Sequence, residues 1–335
     1  MRTRRAIAAA VLLAALAPAA GQDAARGQVE QLRARCAALQ AEQAKLRKQI
    51  EALAARVNAL QDELAGLKRG AGAAAPRPVL SRKLAIRVKP GGWGGANTTD
   101  ITKVLESAAG EIWKHFPDRK LAPIIVEHGN SGPIVLYRKG PKGEHIVRLD
   151  IEGTYWCQFA YQFAHEFCHI LTNYSPEDSE KNKWFCESLC EMASLYAIRR
   201  MAETWQTAPP YPHWKSFSRH LGTYTEEARI KPAQRLKAGA TLGPWYRRNA
   251  GALRKDACLR DKNKVAASAL LTLVEADPSA WRSVSMLNLG TPDAEDSFET
   301  FLGDWLARTS AKHKPFVRKV AALFEITLPA APGSN

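Results

Sequence analysis

The stretch FAYQFAHEFCHIL, residues 159–171, carries two histidines four residues apart with a glutamate directly after the first. Residues i and i+4 share one face of an α-helix, so the imidazoles of His165 and His169 can reach one ion. Zn²⁺ bound that way needs a third protein ligand and keeps a fourth position for water. Glu166 is placed to take a proton from that water. Ala164, Phe167, Cys168, Ile170 and Leu171 are uncharged, and neither Pro nor Gly breaks the turn, as a buried helix requires.

A second helical pattern, NKWFCESLCEMASLYA, follows after a short connection and offers Glu187, with Glu191 one turn later. With these residues the chain resembles the gluzincin metallopeptidases, the group that holds the thermolysin-like enzymes and the zinc aminopeptidases. Their pattern is an HExxH helix, a short connection and a second helix supplying a glutamate. The resemblance implies His165, His169 and Glu187 as the metal ligands, Glu166 as general base and Glu191 as the carboxylate that orients a ligand histidine. A carboxylate on the far nitrogen fixes the tautomer that faces the metal. One turn of register exchanges Glu187 and Glu191, so the reverse assignment of those two is also open. Trp184 matches the Trp-x-x-Glu of the aminopeptidase branch. Its Gly-x-Met-Glu-Asn strand is missing, and VRLDIEG stands in its place. The metzincin pattern fits worse, with Thr172 and Ser175 where Gly and His or Asp belong. For the family's donor to the oxyanion, Tyr246 in GPWYRRN lies at a suitable distance along the chain, with Tyr224, His213 and His220 as rivals.

These residues need elements to hold them. KLAIRVKP, APIIVEH, GPIVLYRKG and EHIVRLDIEG read as strands punctuated by Gly and Pro. ITKVLESAAGEIWKHF has helical periodicity with Thr99 or Asp100 as cap. Long helices are expected over about 155–173 and from about 176 to 204. Further helices are expected at VAASALLTLVEA, FETFLGDWLAR and FVRKVAALFEI. Strands first and helices after indicate an α+β fold, and the resemblance implies a zincin-like catalytic domain over 79–335. An extended substrate is expected antiparallel to an edge strand, taken as 145–151.

The N-terminal part has a different grammar. Arg2, Arg4 and Arg5 precede an apolar run from Ala6 to Ala17 and then small residues, the pattern of a signal peptide over 1–21. That places the mature protein in the periplasm or outside the cell, with no transmembrane span once the signal is cleaved. A heptad follows over 22–69. Val29, Cys36, Gln43, Ile50, Val57 and Leu64 take one core position, and Leu32, Leu39, Leu46, Leu53, Leu60 and Leu67 take the other. A homo-oligomer through residues 29–67 is expected, a dimer or a trimer. Glu42 to Arg47 and Glu63 to Lys68 are attractive pairs across a parallel dimer. RGAGAAAPRP, residues 69–78, supplies a linker taken as 70–78.

The formal net charge is +15 from 48 Lys+Arg and 33 Asp+Glu. The basic residues are scattered and lack interleaved aromatics, so no specific nucleic-acid partner is expected. The six cysteines are too few and too dispersed for a disulfide scaffold. The expectation is therefore zinc-dependent hydrolysis of peptide bonds in a peptide or protein substrate. The competing expectation is a catalytically inactive zincin-fold scaffold in the envelope, oligomerised by its coiled coil.

Overall fold

The computed structural model describes residues 27–39, 42, 49, 79–176, 178, 181–229, 231, 234–290 and 297–328. The chain divides into two units, Met1–Leu60 and Gln61–Asn335. In the first unit residues 27–39 are helical, with Leu32 46% and Leu39 57% exposed. The rest of the expected coiled coil, apart from 42 and 49, lies outside the described residues. So do the expected signal peptide and the whole linker.

The second unit is mixed α+β. Strand β1 is Ile86–Val88, and α1 is Thr98–Trp113. Asn97 caps α1 by accepting from the Thr99 N–H at 2.7 Å, two residues before the nearer of the expected caps, Thr99 and Asp100. The reason is geometric: a cap residue must keep extended backbone, and both Thr99 and Asp100 already lie inside the helix. Next come β2, Ile124–His128, β3, Ile134–Leu136, and β4, His145–Leu149. The sheet order is β1-β2-β4-β3, with β1, β2 and β4 parallel and β3 antiparallel at one edge. Since β2 and β3 take both sides of β4, 145–149 is an inner strand, and the expected edge position is corrected to β3. The sequence pattern of β4 carries no sign of its neighbours, because pairing is a tertiary choice.

Two long helices follow, α2 at Trp156–Leu171 and α3 at Lys183–Thr204. Both are buried nearly all round, α2 from Cys157 to Leu171 with few gaps, so they form the centre of the core rather than a surface layer. Helix α1 packs on both of them. The remaining chain is helical: a 3₁₀ turn at Pro212–Phe217, α4 at Ser218–Thr223 and a π-helical turn at Tyr224–Arg229. Then come α5 at Leu242–Lys255, α6 at Arg260–Ala276, α7 at Trp281–Val284, α8 at Phe298–Arg308 and α9 at Lys314–Leu323. Helix α6 packs along α3 and so backs the helix that carries Glu187 and Glu191. No helix among the described residues is long and apolar enough to cross a membrane.

Candidate metal centre

Helix α2 presents His165 and His169 side by side, their ring centroids 5.1 Å apart. Helix α3 brings Glu187 against both. Its Oε2 lies 3.2 Å from His165 Nε2, and its Oε1 lies 3.5 Å from His169 Nε2. One carboxylate thus stands across from two imidazole Nε2 atoms, and Glu187 keeps 26% of its side-chain surface open to solvent. The donor set is two imidazole nitrogens and a carboxylate, with solvent access on one side, and it fits a zinc ion.

Glu166 is buried on the same helix and takes no part in that trio. The backbone N–H of Val135 in edge strand β3 donates to Glu166 Oε2 at 2.7 Å. This contact ties the free edge of the sheet to the HExxH helix. Burial raises the Glu166 carboxyl, the Glu187 charge adds to the rise, and His165 opposes it, leaving Glu166 at about 7. A carboxyl poised near neutrality is suited to accept and return a proton.

Burial by itself would lower His165. The hydrogen bond and charge of Glu187 overcome it, helped by Glu166 and Glu191, and raise His165 to about 9. His169 is lowered to about 4, chiefly by burial. Burial would raise Glu187, but the two histidines hold it at about 2. In the metal-free protein His165 and Glu187 are therefore an ion pair. His169 is neutral, and its buried Nδ1 has no hydrogen-bond partner among the described residues.

Glu191 faces the other side of His165, with Oε2 4.0 Å from Nδ1. That is an electrostatic contact rather than a hydrogen bond. The Tyr161 hydroxyl donates to Glu191 Oε1, and Lys264 Nζ of α6 lies 3.9 Å from the same oxygen. Glu187 faces the Nε2 pair and Glu191 faces Nδ1, so the two acids on one helix have separate places. Tyr161 precedes His165 by one helical turn, a spacing that the sequence displays but that pointed to no role. Lys264 carries no such signal, since it comes from a distant helix.

Two further features were not legible beforehand. Cys190, fully buried on α3, has its sulfur within 4.8 Å of nitrogen atoms of His165 and His169, so a His165, His169 and Cys190 set is a second possible donor group. Cys190 also shares a hydrogen bond with Cys168, and burial first, then Cys168, raises its thiol well above the ordinary value. We favour Glu187 over Cys190 because the carboxylate is already ionised and reaches both Nε2 atoms. The second feature is Tyr174, just past the end of α2. Its ring lies 4.8 Å from His169 and stacks on Tyr137 at 4.5 Å. Burial, then Tyr137, then the charges of Glu187 and Glu166 raise its phenol, which stays protonated.

Tyr246 stands elsewhere. It stacks on Trp184 at 5.3 Å and packs against Phe298 and Phe324. The charges that bear on its hydroxyl are Arg254 and Glu299, with none from the metal centre. Of the rivals, Tyr224 lies edge-on to Tyr161 at 6.2 Å, His213 stacks on Tyr211, and the His220 ring packs beside Phe217. Trp184 is fully buried in the aromatic cluster that anchors the start of α3. Comparison with protein families, with curated proteins and with solved structures gives no match for this chain.

Proposed function

We propose that this protein is a zinc metallopeptidase with a zincin-like catalytic unit, acting on peptide bonds in the periplasm or outside the cell. The observation that carries the proposal is the single carboxylate of Glu187 set against both histidine Nε2 atoms, with a separate near-neutral Glu166 beside them. A structural ion pair would need one histidine and one acid. Two histidines, a third donor and a buried acid outside the donor set are what metal-assisted hydrolysis requires.

His165, His169 and Glu187 would hold the ion. Zinc bound there supplies Lewis-acid polarisation of a carbonyl and lowers the pKa of water. Glu166 accepts the proton of the attacking water and delivers it to the leaving amine. The Val135 N–H fixes one oxygen of Glu166 and leaves the other for that transfer. Glu191 orients His165 from its Nδ1 side, with Tyr161 and Lys264 holding Glu191 in turn. The Tyr174 ring lies 4.8 Å from that of His169 and its phenol stays protonated, so Tyr174 takes the oxyanion role in place of Tyr246. An extended substrate segment lies along β3, whose outer side is unpaired among the described strands.

Intact Glu166 favours the enzyme over the inactive scaffold, since a purely structural metal site has no use for a buried general base. The deciding experiment measures zinc content and hydrolysis of denatured protein by the purified chain. About one zinc per chain and hydrolysis abolished by chelation are expected. No zinc, or zinc with no hydrolysis of any peptide offered, overturns the peptidase reading.

A further inference from the structure

Beyond the C-terminal end of α2 lies a pocket of about 440 Å³, away from Glu187 and its histidines. Phe116 and Met286 give it apolar walls, and Arg119, Asn173, Arg282 and His313 give it polar ones. The volume is in the range of small-molecule sites and larger than a bare ion needs.

The two arginines are held by neutral groups. Arg119 Nη1 donates to the Leu171 carbonyl at 3.0 Å, and its Nη2 reaches Asn173 Oδ1 at 3.4 Å. Arg282 donates from Nε to the His115 carbonyl at 3.1 Å, and its two terminal nitrogens have no partner among the described residues. Neither guanidinium pairs with a carboxylate among the described residues, although the exposed Asp118 also lines the pocket. Asn173 ties the wall between them to the segment after α7. Asn173 adopts φ 59° and donates from Nδ2 to the carbonyls of Ser285 and Leu287, each at 2.8 Å. Burial lowers the Arg119 guanidinium, as expected for a partly buried cation without a counter-charge.

Guanidinium groups with carbonyl contacts on one side and open donors on the other are pre-oriented for an oxyanion. We propose that this pocket binds a small organic molecule through its phosphate or carboxylate group, with the terminal nitrogens of Arg282 as the principal donors and Arg119 supplying the second positive charge. Phe116 and Met286 receive the organic part. The site is independent of the metal centre and of the peptidase reading.

The test is calorimetric titration of the full chain with inorganic phosphate, acetate and glycerol phosphate, each against sodium chloride at matched ionic strength. Saturable binding of at least one oxyanion is expected. Arg282→Gln should weaken it about tenfold, the scale of one lost charge-assisted contact, and should leave the Leu171 contact in place. Arg119→Gln, whose amide can still cap Leu171, should weaken it as well, provided its circular dichroism matches the parent. Preference for glycerol phosphate over inorganic phosphate identifies an organic phosphate, and preference for acetate a carboxylate. No binding beyond the chloride control, or equal binding by Arg282→Gln, overturns the proposal.

Discussion

At the residue scale, roles divide by which atom faces which. Glu166 stands outside the donor trio, so Glu166→Gln should keep about one zinc per chain and lose nearly all hydrolysis. Glu187→Ala should lose most of the zinc, whereas Glu191→Ala should weaken zinc binding or rate by about 10–100-fold. Atomic absorption on the three variants tests this, and full zinc retention in Glu187→Ala would reject the ligand assignment. Cobalt substitution addresses Cys190: no thiolate charge-transfer band in the near ultraviolet is expected, and a strong one would put Cys190 in the coordination shell. Tyr174→Phe should lower kcat by about 10²–10³-fold if its hydroxyl meets the oxyanion, whereas Tyr246→Phe should leave kcat unchanged. The reverse pattern restores Tyr246 to that role. Proton linkage gives another readout. His165 is raised from 6.5 to about 9, so its ion pair stabilises the metal-free protein fully below 6.5, and that stabilisation is lost as pH rises through about 9. Zinc needs the neutral imidazole. Binding at pH 7 should therefore release about one proton, falling toward none above pH 9. Calorimetry in buffers of different ionisation enthalpy measures it, and no release at pH 7 contradicts the ion pair.

At the element scale, α2 must end abruptly so that Tyr174 can return beside His169. Asn173 makes that turn in the left-handed region, where asparagine is tolerated better than most residues. Its side chain satisfies two carbonyls of the segment after α7. Asn173→Ala loses both hydrogen bonds and strains the backbone, so a loss of about 2 kcal/mol is expected in urea denaturation. Asn173→Gly relieves the strain but loses the same two hydrogen bonds, so it should be destabilised as well, but less than Ala. Equal stability of Asn173→Ala and the parent would show that the turn is held by other contacts. The sequence displayed α2 and α3 clearly because both are long and apolar. It did not display α5, whose 14 residues from Leu242 to Lys255 include Gly243, Pro244 and Gly251 and bury only Leu242, Gly243 and Leu253. A helix with so narrow an apolar face is decided by its neighbours rather than by its own pattern.

At the scale of the whole molecule, the exposed Leu32 and Leu39 of the N-terminal helical segment are consistent with an apolar seam that meets another chain. A fragment of residues 24–70 should be helical and sediment as a dimer or trimer at tens of micromolar. Leu32→Asp with Leu39→Asp should reduce it to a largely unfolded monomer. A parent fragment that stays monomeric excludes the coiled coil. No disulfide joins any of the six cysteines, and Cys157, Cys168, Cys186 and Cys190 are buried.

The sequence by itself determined the local chemistry: two histidines on one helical face, an acid between them, two acids on a second apolar helix, and strands before helices. Periodicity and spacing settle these matters within a single element. Tertiary structure decided everything that depends on two elements meeting. It separated Glu187, at the Nε2 atoms, from Glu191, at Nδ1, because the angle between α2 and α3 sets which carboxylate reaches which nitrogen. It moved the sheet edge from β4 to β3 and gave the Val135 N–H to Glu166. It placed Tyr246 against Trp184 and Tyr174 against His169. Ring and carboxylate positions a few ångströms apart are fixed by packing between segments far apart in the chain, and no one-dimensional pattern records them.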